Sequence, residues 1–83
     1  MSETIFSGAV ARPSTKDNYH ISKDGRILGY LERLNADSHY TTDLVGNSIV
    51  GHWALLDIDG AMIDHDRYRH DIASLYQFTI KGA

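Results

Sequence analysis

Apolar and polar residues alternate over Asn18–Ser22: Tyr19 and Ile21 fall on one side, His20 and Ser22 on the other. That period of two is the pattern of a strand with one buried face. Lys23-Asp24-Gly25 supplies turn chemistry, and Arg26–Leu34 reads as the return strand of a hairpin. Ile27, Leu31 and Leu34 also fit one face of a helix, but Gly29 and the turn just upstream favour the strand. Asn35–Thr42 is polar and loop-like, and Gly46-Asn47 marks a further turn. The most apolar stretch, Ile49–Ile58, predicts a central strand, and Asp59-Gly60 a second hairpin with Ala61–Ile63 as its short partner.

The period then lengthens. Tyr68, Ile72, Leu75 and Tyr76 lie at i, i+4, i+7 and i+8, which predicts a helix over about 64–77 with Asp64 or Asp66 as its N-cap. The β-branched and aromatic run Gln77–Lys81 predicts a short closing strand. Near the N-terminus, Thr4–Val10 reads as an edge strand and Pro13–Asp17 as a loop. Ile21–Leu28 and Leu56–Ile63 echo one another, an echo attributed to a shared Asp-Gly hairpin geometry. The expected fold is therefore α+β: a twisted antiparallel sheet of about four or five short strands, with hairpins around Asp24-Gly25 and Asp59-Gly60, and one helix on one face. Residues 1–83 are read as a single domain.

Composition narrows the setting. A chain this short buries roughly 60% of the surface that its unfolded form exposes, and 42% apolar residues suffice for one thin core. The absence of cysteine excludes disulfides, zinc-thiolate sites and cysteine nucleophiles. Small secreted domains usually need such staples, and Met1–Gly8 lacks the basic flank and apolar run of a signal peptide, so a cytoplasmic location is expected. No apolar run is long enough to span a membrane. The net charge is −3 and the eight basic residues are scattered, which argues against direct nucleic-acid binding.

Leu55-Leu-Asp57-Ile-Asp59-Gly60-Ala-Met-Ile-Asp64 resembles the first motif of the haloacid-dehalogenase phosphatases, an apolar strand ending in Asp-x-Asp-Gly. That resemblance implies a nucleophile at Asp57, a general acid/base at Asp59 and a magnesium ion. It also implies a doubly wound parallel sheet with a lysine and an acidic pair further on, for which too little chain follows Asp64. Ala61 also stands where that family usually has Thr or Val. A strand, a turn and a return strand account for the same residues.

Other catalytic and ligand-binding patterns fail on spacing. A calcium loop begun at Asp64 puts Leu75 where the bidentate glutamate belongs. His65 and His70, five apart, do not share a helix face. Asp66 and His70, four apart, would face each other, with His52 or Asp57 as a third group, but such pairs are more often solvated. No metal, cofactor or catalytic residue is expected, no glycine-rich phosphate loop is present, and Trp53 is assigned to the core.

Asp57, Asp59, Asp64, Asp66 and Asp71 lie close together in the chain, opposed only by Arg67 and Arg69. Turn chemistry and helix capping account for these acids, and their charge is left to face outward. The resulting expectation is a non-enzymatic interaction protein. An acidic and aromatic surface of Asp57, Asp59, Asp64, His65, Asp66, Tyr68 and Asp71 would dock onto a basic region of a larger protein or nucleoprotein. Small, acidic, cysteine-free chains of this kind are similar in character to phage and mobile-element inhibitors of host defence, anti-CRISPR proteins among them. The alternatives are a small metal-dependent enzyme using Asp57, Asp59 and a histidine, and an accessory module that self-associates into a homodimer through a sheet edge.

Overall fold

The computed structural model describes residues 4–82; Met1–Glu3 and Ala83 lie outside it. Six strands form one sheet: β1 (Val10–Thr15), β2 (Asn18–Lys23), β3 (Arg26–Arg33), β4 (Trp53–Asp57), β5 (Met62–Asp66) and β6 (Thr79–Ile80). Their order is β5-β4-β3-β2-β1-β6. All neighbours are antiparallel except β1 and β6, which run parallel. The one helix, α1 (Arg69–Tyr76), joins β5 to β6. The fold is thus the expected α+β, with more strands than the sequence pattern suggested.

The β2–β3 hairpin forms as predicted. Asp24 and Gly25 both have positive φ, 54° and 79°, the two-residue turn whose twist suits the flanking strands. Residues 27–34 are therefore strand and not helix up to Arg33, with Tyr19, Ile21 and Leu31 buried on one face.

Four expectations are corrected. Thr4–Gly8 is a turn and not an edge strand, and it drops Phe6 into the core. Strand β1 instead includes Pro13, assigned from sequence to a loop. β6 pairs only with Val10 and Ala11, so β1 has a free outer edge at Pro13, where a missing N–H is tolerated. Strand β4 is shorter than 49–58 and lies one strand in from the β5 edge, and Ile49 plugs the core from a loop. Finally, the strand after Gly60 runs to Asp66, and the helix begins only at Arg69. β4 is buried on both faces, and its ladder requires a partner along its whole length: Leu55 pairs with Asp64, Ala54 with His65 and Trp53 with Asp66. That pairing outweighs the helical period. Asp64 and Asp66 are accordingly strand residues. The N-cap is Tyr68, which makes no side-chain capping bond. The buried helical residues are Ile72 and Ala73, while Tyr68 and Leu75 of the predicted stripe are exposed.

The sheet is covered on both sides. On one, Ala11, Tyr19, Ile21, Leu31, Trp53 and Leu55 pack under α1, Phe6 and Phe78. On the other, Leu34, Ile49, Ala54 and Leu56 form a second cluster joined by Tyr30, Tyr40 and Met62. The segment from Leu34 to His52 thus acts as a lid over half the sheet. The Arg69 guanidinium lies over the rings of Trp53 (5.3 Å) and Tyr19 (5.8 Å). Its buried Nε has no hydrogen-bond partner among the described residues, so ring stacking is what holds the cation in place.

Candidate docking surface

Two loops on one side of the molecule are built alike. In Asp43–Asn47, the Asp43 carboxylate accepts the N–H groups of Val45 and Asn47, both at 2.9 Å. The Asp43 N–H donates to the Asn47 carbonyl, and the Gly46 N–H to the Asp43 carbonyl. In Asp57–Ala61, Asp57 repeats every one of these bonds, its carboxylate accepting the backbone N–H groups of Asp59 and Ala61, again at 2.9 Å. Each loop places glycine at its fourth position with positive φ, 98° at Gly46 and 87° at Gly60, where a side chain would be strained. The shared unit is Asp-x-x-Gly-x. The echo read from sequence between the Asp24-Gly25 and Asp59-Gly60 hairpins is therefore corrected: Asp24-Gly25 is a different, two-residue turn, and the true counterpart of Asp57–Ala61 is Asp43–Asn47.

This assigns the aspartates. Asp57 holds its own turn together, whereas Asp59 sits exposed at the tip. Asp57→Ala should lower stability by about 1–2 kcal/mol through loss of two charge-assisted bonds. Asp59→Ala should stay within about 0.5 kcal/mol of the parent, as surface changes do. Urea denaturation of the two variants checks this; equal losses, or a larger loss at Asp59, would contradict the assignment.

In Asp43 the N–H of Asn47 is the main influence holding the carboxyl below its ordinary range; desolvation opposes it, and the N–H of Val45 adds to it. A carboxyl depressed in the folded state adds stability above its unfolded pKa, which is lost as pH falls through the folded value. Asp43→Asn should therefore flatten the acid limb of stability against pH below about 4, measured as thermal midpoints. An unchanged limb would contradict this.

What the Asp43 turn displays is apolar. Leu44 and Val45 stand at its tip with relative exposures of 107% and 85%. Between this turn and β5 runs an open groove of about 500 Å³, lined by Tyr40, Thr42, Asp43, Leu44, Val45, Met62, Ile63, Asp64 and His65. The edge of β5 along it is blunted. The Met62 N–H donates to the Tyr40 hydroxyl (3.1 Å) and the His65 N–H to the Asp64 carboxylate (2.8 Å), and the ladder is irregular between Leu55 and Leu56. Backbone donors engaged in this way do not recruit another strand.

The predicted site residues are partly gathered. Asp64 and His65 line the groove. Asp64 also accepts the Tyr76 hydroxyl (2.9 Å), and desolvation, then that bond and its charge, raise the Tyr76 pKa. His65 meets His52, Nδ1 to Nδ1 at 3.2 Å. The Asp66 carboxylate accepts the Tyr68 N–H (3.0 Å). Tyr68 and Asp71 are exposed at the start of α1, and Asp57 and Asp59 belong to the neighbouring hairpin. Leu44 and Val45 were missed. The available signal was two adjacent aliphatic residues inside an Asp-x-x-Gly turn, where chain reversal gives no reason for them.

Charge is divided along the chain. From Asn35 onward there are seven aspartates against three basic residues, a net of −4, whereas the first 34 residues carry five basic against four acidic, a net of +1. Among the described residues no helix is long and apolar enough to cross a membrane. The structure is a small α+β domain whose exposed apolar turn belongs to the acidic stretch of sequence from Asn35 onward. No family model, curated protein or solved structure matches the chain.

Proposed function

We propose that this chain is a non-enzymatic, cytoplasmic binding protein that docks onto a basic region of a larger protein or nucleoprotein and inhibits or modulates it, in the manner of phage and mobile-element inhibitors such as anti-CRISPR proteins. The observation that carries the reading is the exposed Leu44-Val45 pair on a turn already locked by Asp43. Such a pair loses little conformational freedom when it is covered, and Asp43 and Asp64 in the groove beside it favour a basic partner. The docking face on this reading is the Asp43–Asn47 turn with Asp64, His65 and the β5 edge, joined by Asp59 and Asp66. Tyr68 and Asp71, expected from the sequence to join it, are exposed at the start of α1.

The engagement of Asp57 in its own turn weighs against the enzymatic alternative. The blunted β5 edge weighs against a homodimer built by strand pairing at that edge.

The test is affinity capture from a bacterial lysate with the parent and a Leu44→Ser/Val45→Ser variant, followed by mass spectrometry. The variant changes only exposed side chains and should keep the parent's thermal midpoint. A basic protein or nucleoprotein should be captured by the parent, lost by roughly tenfold or more from the variant, and weakened as salt is raised through the physiological range. Equal capture by both proteins would refute the proposal.

A further inference from the structure

We propose that His52 and His65 form a two-imidazole chelate for a first-row divalent transition cation, with zinc as the probe of choice. Their Nδ1 atoms lie 3.2 Å apart, with ring centroids at 5.3 Å and planes inclined by 43°. A contact between two ring nitrogens needs one N–H and one lone pair, so both nitrogens are aimed at the same small region between the rings. A zinc ion bound at the usual 2.0–2.1 Å from two nitrogens at this spacing would subtend about 100–105°, close to the tetrahedral angle. The pair therefore already has the nitrogen–nitrogen separation of two adjacent zinc ligands, and each ring turns from its partner to aim its lone pair at the ion.

Both histidines are held from behind. The His52 N–H donates to the Ile49 carbonyl, and the His52 carbonyl accepts the Leu34 N–H. His65 is fixed in the ladder opposite Ala54, and its N–H is taken by Asp64. Ligands on two separately anchored segments are preorganised, which limits the entropic cost of binding. Both rings are half-buried. Imidazole suits zinc, copper and nickel over magnesium or calcium.

On binding, the ring that donated through Nδ1 adopts the Nε2–H tautomer, and both Nδ1 lone pairs turn to the ion. Among the described residues no cluster of three or more His, Cys, Asp or Glu side chains is placed to hold an ion. The protein therefore supplies two donors and leaves the remaining positions to water or to a group brought by another molecule. The site shares His65 with the proposed docking face, but its test reads zinc binding by the free chain, to which neither Leu44 nor Val45 contributes a donor.

Zinc chloride titrated into the full chain near neutral pH, followed by calorimetry and imidazole NMR, tests this. The expected result is one saturable site per chain, with the largest shifts at His52 and His65. His52→Gln and His65→Gln should each weaken it by at least the roughly 10–100-fold that loss of an outer-shell partner alone costs, while His39→Gln and His70→Gln leave it unchanged. His52 lies outside the strands, so its variant keeps the test valid if His65→Gln unfolds. No saturable binding below millimolar zinc, or binding that survives His52→Gln, would overturn the proposal.

Discussion

Gly29→Ala should destabilise the protein by about 3 kcal/mol. Gly29 sits mid-strand in β3, between Ile21 of β2 and Asp57 of β4. A Cβ built there would overlap the Leu56 carbonyl oxygen and lie 3.0 Å from the Phe6 ring. The ring could move. The carbonyl belongs to a strand buried on both faces and cannot do so without breaking its ladder. Overpacking against backbone costs about 3 kcal/mol or more, set against a total stability of roughly 4–12 kcal/mol for a domain of this length. A double variant with Phe6→Leu should not recover, because the ring is the lesser obstacle. Chemical denaturation of the single and double variants checks both points. A loss below about 1 kcal/mol for Gly29→Ala, or rescue by Phe6→Leu, would show that the β3–β4 contact is looser than described.

Phe6→Ala should cost about 3–5 kcal/mol, the usual range for a buried phenylalanine. Its ring packs edge-on to Tyr76 at 6.3 Å and tilted to Phe78 at 6.1 Å, closing the main core over the sheet. The turn that carries it also finishes the helix. The Thr4 hydroxyl donates to the Tyr76 carbonyl and the Gly8 N–H to the Gln77 carbonyl, both at 2.8 Å. Gln77 itself is left-handed, with φ 64°, a conformation that its neighbours must hold in place. Loss of the Phe6 anchor should therefore loosen the end of α1 and β6 first, visible as faster amide exchange over 74–80. Ile5→Ala, at an exposed neighbour, should change stability by less than about 0.5 kcal/mol. Similar losses at the two positions would contradict the anchoring role.

The parts of this fold legible in the sequence are those where local chemistry and burial agree. Tyr19 and Ile21 alternate, Asp24-Gly25 demands a turn, and the hairpin follows. The failures lie where a distant partner decides. Asp64-His65-Asp66 has the composition of a helix start, yet β4 needs five residues opposite it and takes them. Thr4–Val10 has strand-like composition, yet Phe6 finds a deeper site by turning into the core. The lid segment was legible only as a loop, because what it covers, Tyr30 and Leu56, lies on strands far from it in sequence.

The candidate site shows the same division. Of the surface residues expected from the sequence, Asp64 and His65 line the groove, whereas Asp57 is tied into its own turn. Their neighbours Leu44 and Val45 looked unremarkable beside Gly46, because exposure depends on the locked geometry of Asp43 rather than on hydrophobicity. The His52–His65 meeting was equally hidden: only the register of β5 on β4 brings those rings together.

The central claim is that the Asp43–Asn47 turn and the adjoining edge of β5 are the docking face. Amide hydrogen exchange of the chain, free and saturated with its captured partner, tests it most directly. The account predicts new protection concentrated at Leu44–Asn47 and Ile63–Asp66, with little change on the β1–β2 side. Protection confined to β1 and β2, with Leu44–Asn47 exchanging as in the free protein, would contradict it.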